Sequence, residues 1–311
     1  MKQRVLGSTG KTISEIGLGS WQLGNAKDWD VMSEKEGIEL VHHALSLGCN
    51  FFDTAPNYGL GKSEEILGKA LKGKRNEVII SSKFGHQDDG SINFDPHEIE
   101  NSVHKSLKRL QTDYLDTLLL HNPPFEYLNG GSHHFEVLEK LKREGKILSY
   151  GASVDSSKEM FQVIETTNSQ VMEVMFNIFH QETSEAFKAA KENGIGLIIK
   201  VPLDSGWLSG KYGSNSTFTD IRRRWSKDII ERRTNMLKEI KKIVDPSQSL
   251  TQSALQFILA HEEVSTIIPG AKNIIQLNEN VSASQGMMDE TKVEQLKSLW
   301  KKHLQNNSLP W

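Results

Sequence analysis

Short runs of apolar and β-branched residues alternate along the chain with longer stretches in which apolar residues recur at helical spacing. This alternation is typical of parallel strands joined by crossover helices. Eight strand-helix units favour a closed (β/α)8 barrel over an open sheet. The eight predicted strands are Glu15 to Leu18, Asn50 to Asp53, Glu77 to Lys83, Leu115 to His121, Ile147 to Ser153, Val171 to Phe176, Gly196 to Val201 and Val264 to Pro269.

The stretches between these runs predict amphipathic helices, because their apolar residues return to one face about every 3.6 residues. Boundary signals support several of them. Ser33 and Glu36 form a capping-box pattern, and Gly48, Gly145 and Gly194 follow helical runs, where a left-handed residue is favoured. The predicted helices are Ser33 to Leu47, Ser63 to Leu71, Pro96 to Leu110, His134 to Glu144, Ser157 to Thr167, Glu182 to Asn193 and Thr251 to His261.

Some segments lie outside the strand-helix repeat. Lys2 to Ser14 predicts a β-hairpin that covers the bottom of the barrel. Gly213 to Asp245 is a polar excursion with a further helix after the seventh strand, and Thr291 to Leu304 predicts a closing helix. Because no linker composition interrupts the chain, residues 1–311 are expected to form one domain.

The composition narrows the class of protein. Lys and Arg number 37 against 40 Asp and Glu, a formal net charge of -3, and the one dense basic run is Arg222 to Arg224. We therefore expect neither nucleic acid nor an anionic membrane as a partner. The single cysteine, Cys49, lies in an apolar run, and neither a signal peptide nor a run of about 18 apolar residues is present. These features predict a soluble cytoplasmic protein.

Four reactive side chains lie at or just after the ends of three consecutive predicted strands. Asp53 ends the second strand and precedes Tyr58, Lys83 ends the third strand, and His121 ends the fourth. In a (β/α)8 barrel the C-terminal strand ends and their loops form the mouth. We therefore expect these side chains to converge on one rim and to be the catalytic residues.

This set predicts a tuned proton donor. A free tyrosine has a pKa of about 10, and a neighbouring ammonium lowers that pKa because it stabilises the phenolate. Lys83 is expected to lower the pKa of Tyr58, and Asp53 is expected to pair with Lys83. His121 can donate to a substrate oxygen or relay a proton. The set suits protonation of a carbonyl oxygen as the carbonyl carbon receives hydride.

The motifs around these residues resemble those of the aldo-keto reductase family over essentially the whole chain. The most similar branch is the bacterial one that includes general stress reductases. The resemblance implies a barrel with Tyr58 as general acid, Asp53 and Lys83 tuning it, His121 orienting the carbonyl, and hydride from a nicotinamide cofactor. The matching motifs are Gly17 to Trp21, Phe52 to Ala55, Tyr58 and Gly59, Ser63 to Gly68, Ser82 and Lys83, Asp113 to Asp116, Leu120 and His121, and Ile267 to Lys272.

The resemblance also implies a set of cofactor-binding positions. Those near the nicotinamide are Gly19, Ser20, Trp21 and Ser153, of which Ser153 binds the carboxamide. Those around the pyrophosphate are Pro202, Leu203, Ser205, Gly206, Leu208, Gly210 and Lys211. Those around the adenosine are Gly270, Lys272, Asn273, Gln276, Glu279 and Asn280. Because Lys272 is expected to meet a 2′-phosphate, NADP (NADPH) is favoured over NAD.

Three positions depart from the family pattern. The family has Asn after the carboxamide serine, Gln in the sixth strand and Tyr three residues further on, where this chain has Val154, Glu173 and Phe176. Phe176 is expected to stack on the nicotinamide ring. Glu173 can accept a hydrogen bond from the carboxamide NH2 but cannot donate to its carbonyl, and the Val154 side chain can do neither.

Aromatic side chains are expected to form the substrate wall, namely Trp21, Phe84 and Phe125, with Tyr127 and Trp225 as further candidates. Arg222 to Arg224 either steer the cofactor phosphates or lie on a solvated helix face. No metal site is expected, because the side chains of the adjacent pairs His42-His43 and His133-His134 diverge.

The predicted function is NADPH-dependent reduction of aldehydes, ketones or dicarbonyls to alcohols. The predicted partner is a small-molecule carbonyl substrate, and the chain is expected to be a monomer or a weak homo-oligomer. The alternative is a cofactor-sensing regulatory subunit that resembles the β subunits of voltage-gated potassium channels, and a scaffold barrel without cofactor is a third reading. The presence of Asp53, Tyr58, Lys83 and His121 together favours the enzyme.

Overall fold

A computed structural model describes residues 1–311 of the chain. The strands are β1 Gln3–Val5, β2 Thr12–Ser14, β3 Leu18–Gly19, β4 Phe51–Asp53, β5 Ile79–Phe84, β6 Leu115–His121, β7 Ile147–Val154, β8 Val171–Met175, β9 Gly196–Lys200 and β10 Val264–Ile267. The helices are α1 Glu34–Ser46, α2 Lys62–Ala70, α3 Ile99–Leu110, α4 His133–Arg143, α5 Ser157–Thr166, α6 Phe187–Glu192, α7 Lys227–Ile243, α8 Leu250–Leu259, α9 Ile274–Ser282 and α10 Glu290–His303.

The strands β3 to β10 form one parallel sheet in chain order. Parallel bridges from Ile16 to Ile267 and from Gly19 to Gly270 join the region of β3 to that of β10, the two edges of this sheet, and so close it into a barrel. The closure requires a glycine, because a Cβ on Gly19 would lie 2.5 Å from the carbonyl oxygen of Ile268. These features confirm the predicted (β/α)8 barrel.

The hairpin β1–β2 covers the N-terminal end of the barrel, as predicted. Leu6 and Ile13 belong to a buried apolar cluster with inward residues of the barrel strands, including Phe51. The guanidinium of Arg4 donates to the backbone carbonyls of Leu259 and Val264 at 2.6 and 2.8 Å, close to the start of β10. The bottom of the barrel is therefore filled with side chains, and the open end is the C-terminal one.

The side chains of each strand alternate between the barrel interior and the helical layer, because successive residues of a strand point to opposite faces. Along β5, Ile79 belongs to the interior cluster, whereas Ile80 and Phe84 belong to the large cluster under the helices. The same alternation along the other strands directs Asp53, Lys83, His121, Ser153 and Glu173 inward near the C-terminal strand ends.

The observed bounds differ from the predicted ones mainly at the ends of elements. The strand β6 has the predicted bounds, and the Ser33–Glu36 capping box is formed at the start of α1. The predicted helix Glu182 to Asn193 consists of a 3-10 turn, Glu182–Ala186, followed by α6. The helix α9 was not predicted from the hydrophobic pattern. None of the helices combines the length and the apolar character that a membrane-spanning helix needs.

Candidate active site

The four residues predicted to be catalytic lie together at the C-terminal end of the barrel. The Lys83 Nζ atom donates to Asp53 Oδ1 at 2.7 Å and to Oδ2 at 2.6 Å. The same Nζ atom lies 3.4 Å from the hydroxyl oxygen of Tyr58. Tyr58 belongs to the loop between β4 and α2. The rings of Tyr58 and His121 lie edge to face, with their centroids 6.0 Å apart.

The Lys83 ammonium is completely buried and contacts more than one anion. Besides Asp53, it donates to the Thr54 carbonyl at 3.0 Å and lies 3.3 Å from Glu173 Oε2. Burial lowers the pKa of Lys83, but the two carboxylates more than offset this effect and place the pKa well above its usual value. Lys83 therefore stays protonated throughout the neutral pH range.

The pKa of Tyr58 is raised, whereas the sequence analysis expected it to be lowered. Burial raises the pKa of the phenol, the Lys83 ammonium opposes the rise, and Asp53 and Glu173 reinforce it, so the pKa lies well above 10. The predicted net lowering was therefore wrong, because it considered the cation and neglected burial and the carboxylates. A phenol in this setting is protonated at neutral pH, which is the form that a general acid needs.

His121 is also buried, and no group bonds its Nδ1 atom. Burial, followed by the nearby cations Lys83 and Lys200 and the ring of His86, lowers the pKa of His121 well below its usual value. The imidazole is therefore neutral at physiological pH, and one ring nitrogen carries a hydrogen that can be donated.

A second polar cluster adjoins the catalytic one on β6, β7, β8 and β9. The hydroxyl of Ser153 lies 3.0 Å from Glu173 Oε1, and the Lys200 Nζ atom donates to Ser153 Oγ at 2.8 Å and to Asn122 Oδ1 at 2.7 Å. Asp155 pairs with Lys200 at 2.9 Å. Lys200 and Asn122 were missed by the sequence analysis, although Lys200 lies within a predicted strand.

The loop after β9 has an unusual backbone. Val201, Asp204 and Ser205 have φ angles of 53°, 47° and 53°, in the left-handed region that costs non-glycine residues about 1–3 kcal/mol each. The Asp204 carboxylate anchors this loop, because it accepts from Arg233 Nε at 2.8 Å and both side chains are fully buried. Such strained segments persist where the surrounding structure holds them, and they cluster at ligand-binding sites.

A cleft of about 540 Å³ extends from the catalytic cluster along this loop to the start of α9. Its size lies within the usual range for ligand sites, roughly 300–1,000 Å³. Of the catalytic set, Asp53, Tyr58 and His121 line the cleft. The predicted cofactor residues that line it are Gly19, Trp21, Glu173, Pro202, Leu203, Ser205, Gly206, Lys211, Gly270, Lys272, Gln276, Glu279 and Asn280.

The predicted stacking of Phe176 is wrong, and two of the predicted loop positions do not present a side chain to the cleft. Phe176 points into the helical layer and packs against Phe187 and Phe257, so it cannot stack on a ring in the cleft. Leu208 is buried in the same layer, and Gly210 lies outside the lining at the end of the loop.

The side chains of the three remaining predicted cofactor residues form hydrogen bonds with other groups of the protein. Ser20 Oγ donates to the Asp53 carbonyl at 2.5 Å. Asn273 caps α9, where its Oδ1 atom accepts from the backbone N–H of Gln276 at 2.9 Å. Ser153 lies beneath the surface of the cleft, where Lys200 connects it to the lining.

The predicted substrate wall is only partly correct. Trp21 lines the cleft, where it packs on Trp29 and Tyr58 with ring centroids 5.1 and 6.0 Å away. Phe84 follows the inward residue Lys83 and therefore points outward, where it is fully buried. Phe125 lies in a 3-10 turn away from the cleft, beneath the ammonium of Lys158.

The two further candidates for the wall also lie elsewhere. Tyr127 packs on His134 in a separate surface pocket. Trp225 is buried beneath the guanidinium of Arg233. The aromatic wall of the cleft is therefore formed by Trp21, Trp29, Tyr58, Tyr212 and Trp311.

The end of the cleft remote from Tyr58 carries two cations that face carboxylates. Arg222 pairs with Asp220 and also reaches the Ser205 carbonyl, at 3.4 Å. Lys272 pairs with Asp30, which lies in the loop after β3. Of the three consecutive arginines, only Arg222 lines the cleft.

The comparisons with known proteins agree with this geometry. Residues 15–301 match the Aldo/keto reductase family. The chain is 31% identical to the uncharacterized oxidoreductase YqkF of Bacillus subtilis, over 96% of both chains, and 30% identical to an NADH-specific methylglyoxal reductase of Escherichia coli, over 91% of this chain and 93% of that one.

A solved structure supports the same assignment. The holo form of aldo-keto reductase AKR11C1 from Bacillus halodurans superimposes with a TM-score of 0.82 at 29% identity, over 96% of both chains. Family match, fold and site thus agree. The chain belongs to the aldo/keto reductase family of oxidoreductases, whose members use a nicotinamide cofactor.

Proposed function

We propose that this protein is an NADPH-dependent reductase that converts aldehydes, ketones or dicarbonyls to alcohols, with Tyr58 as the general acid. The observation that carries the proposal is the 3.4 Å contact between Tyr58 Oη and the buried Lys83 Nζ, at a cleft that Tyr58 and His121 line. A protonated phenol beside a fixed cation can release its proton at the moment when negative charge develops on a carbonyl oxygen.

The nicotinamide cofactor supplies the hydride when it is bound. Tyr58 donates its proton to the carbonyl oxygen, and the Lys83 ammonium stabilises the phenolate that remains. Asp53 holds Lys83 in place through two short contacts. His121, neutral because it is buried, donates a hydrogen bond that orients the carbonyl oxygen.

The lining of the cleft fits a dinucleotide. The strained loop presents Ser205 and Gly206 to the cleft, and the positive φ of Gly206, 94°, is one that only glycine adopts readily. Arg222 and Lys272 supply positive charge for phosphates. Near the catalytic cluster, Glu173 and Ser153 can accept from the carboxamide NH2.

We propose NADPH as the preferred cofactor because Lys272 lines the cleft and the family resemblance assigns it to the adenosine site. The relative in Escherichia coli is named NADH-specific, so membership of the family does not decide the preference. Fluorescence titrations with NADPH and NADH measure it directly. A lower Kd for NADPH is expected, and equal values would contradict this part of the proposal.

The Tyr58→Phe variant tests the central claim. We expect it to bind NADPH with unchanged affinity and to lose roughly 10²- to 10⁴-fold in kcat on a panel of simple carbonyls. Unchanged turnover in this variant would remove Tyr58 from the mechanism. Tight NADPH binding by the unmodified chain without turnover on any carbonyl would instead favour the cofactor-sensing subunit, and no binding would favour a scaffold.

A further inference from the structure

The cation beside Tyr58 is shared between two buried carboxylates. Asp53 contacts the Lys83 Nζ atom at 2.6 Å and Glu173 contacts it at 3.3 Å, and both carboxylates are almost fully buried. Glu173 Oε2 accepts no hydrogen bond from a neutral donor, and its carboxyl group also faces that of Asp53, whose pKa is raised by burial and then by Glu173. The cluster therefore holds one more negative than positive charge when both carboxyl groups are ionised.

We propose that Glu173 acts as a positioning residue for the Tyr58 proton, because its carboxylate competes for the Lys83 ammonium and makes Tyr58 retain its proton to higher pH than the Asp53–Lys83 pair alone would. This inference deepens the proposed function and rests on it only for the catalytic consequence. The effect on the phenol itself is a property of the free protein.

The size of the effect follows from the distances. Lys83 lies 3.3 Å from Glu173 Oε2 and 3.4 Å from Tyr58 Oη. The carboxylate and the phenol oxygen are thus no more than about 7 Å apart, and at that separation a unit charge in a protein interior changes a pKa by roughly one unit or more. The sign is fixed, since a neighbouring anion disfavours the phenolate.

Of the other groups around this cluster, the charged ones are already paired and the histidines are neutral. Ser153 on β7 donates to Glu173 Oε1 at 3.0 Å. Lys200 on β9 bonds Ser153 and pairs with Asp155, so that its charge is already partnered. His121 on β6 is neutral, as is His86 beside it, whose pKa burial lowers.

The consequence for the reaction is a shift of its alkaline limit. Reduction requires the protonated phenol, so turnover declines as pH rises through the range in which Tyr58 ionises. With Glu173 present, we expect this decline to lie at higher pH. A glutamine at position 173 keeps the shape of the side chain and removes its charge.

The Glu173→Gln variant provides the test, with Glu173→Asp as the charge-preserving control. Tyrosinate absorbance is followed against pH in the free protein, and the Tyr58 signal is isolated by subtracting the matching Tyr58→Phe variant. We expect the Tyr58 midpoint to fall by about one pH unit or more in Glu173→Gln and to stay near the wild-type value in Glu173→Asp. Circular dichroism over the same range confirms that each variant is folded.

Steady-state kinetics give an independent reading. The alkaline limb of the kcat profile is expected at lower pH in Glu173→Gln, whatever happens to the KM for the cofactor. Superimposable titrations of wild type and Glu173→Gln would overturn the inference, since Glu173 would then carry no charge that Tyr58 senses. Failure of the proposed reductase function is distinguishable, because the absorbance titration requires neither cofactor nor substrate.

Discussion

The two ends of the cleft hold their charged groups in opposite ways. At the catalytic end, Lys83 is 0% exposed and its partner Glu173 is 2% exposed. At the remote end, Lys272 is 39% exposed and its partner Asp30 is 65% exposed. The ions at the catalytic end lie on barrel strands. At the remote end, Asp30 lies in a loop and Lys272 lies just before α9.

This difference in burial determines how easily each charge can change partner. A buried ion whose partner is removed is left without water or countercharge, which makes the cluster around Lys83 a fixed unit. An exposed pair contributes little, because water and salt stabilise both ions when they separate. Lys272 can therefore exchange Asp30 for an incoming anion, whereas Lys83 stays bound to its buried neighbours.

The strained loop between the two ends combines both properties. Its Ser205 and Gly206 face the cleft, but Asp204 beneath them is joined to Arg233 in a fully buried ion pair. His180 lies 3.3 Å from the same carboxylate and adds to the anchor. The loop is thus anchored from below by a buried ion pair, whereas its cleft-facing side is held by the partly exposed side chains of Arg222 and Trp311, which both contact Ser205.

The largest expected effect comes from making the same substitution at both ends. Lys83→Met leaves Asp53 and Glu173 without a cation, and we expect the free energy of unfolding to fall by about 3–5 kcal/mol. Lys272→Met should change it by no more than about 1 kcal/mol. Urea unfolding measures both values.

The pH dependence of the free energy of unfolding gives a second test of this comparison. Burial, reinforced by Glu173, already raises the pKa of Asp53 above its usual value, and loss of the opposing Lys83 raises it further. A folded state that binds more protons than the unfolded chain loses stability as pH rises. The deficit of Lys83→Met should therefore be greater at pH 8 than at pH 5. Equal losses from the two substitutions would contradict the contrast between the two ends.

The next effect concerns cofactor preference. Lys272→Met removes the charge expected to meet the 2′-phosphate, so we expect the Kd for NADPH to rise roughly 10- to 100-fold. The Kd for NADH, which lacks this phosphate, should stay within about 2-fold. Fluorescence titrations at low and high salt measure both ligands, and an equal loss for NADH would show that Lys272 serves another part of the site.

The sequence predicted which side chains converge around Lys83 better than it predicted the rest of the cleft, for a structural reason. Asp53, Lys83 and His121 lie at strand ends, and parallel strands of a barrel bring their C-terminal ends to one rim. The alternation of side chains would also have excluded Phe84, since it follows Lys83, and identified Lys200, which shares the inward face of β9 with Ile198.

Other features of the site depend on tertiary packing. Phe125 lies on a turn, where no period relates neighbouring side chains, so its position away from the cleft could not be anticipated. The raised pKa of Tyr58 reflects its burial and the nearby carboxylates of Asp53 and Glu173, which only the folded barrel brings together. The pairing of Lys272 with Asp30 joins residues that lie far apart in the sequence.

The smallest expected effect tests whether Asp30 competes with a ligand for Lys272. The Lys272 ammonium lowers the pKa of Asp30, so the carboxylate is ionised at neutral pH and a 2′-phosphate must displace it. Asp30→Asn removes the competing charge, and we expect the Kd for NADPH to fall by about 2- to 5-fold with little change for NADH.

The Lys272→Met background supplies the control, because Asp30→Asn should have no effect on NADPH affinity once Lys272 is absent. If the Asp30 substitution instead weakens NADPH binding, the carboxylate supports the site by holding the loop after β3 in position. The sign of this small change therefore shows whether the exposed pair at the remote end exchanges its partner as freely as its exposure indicates.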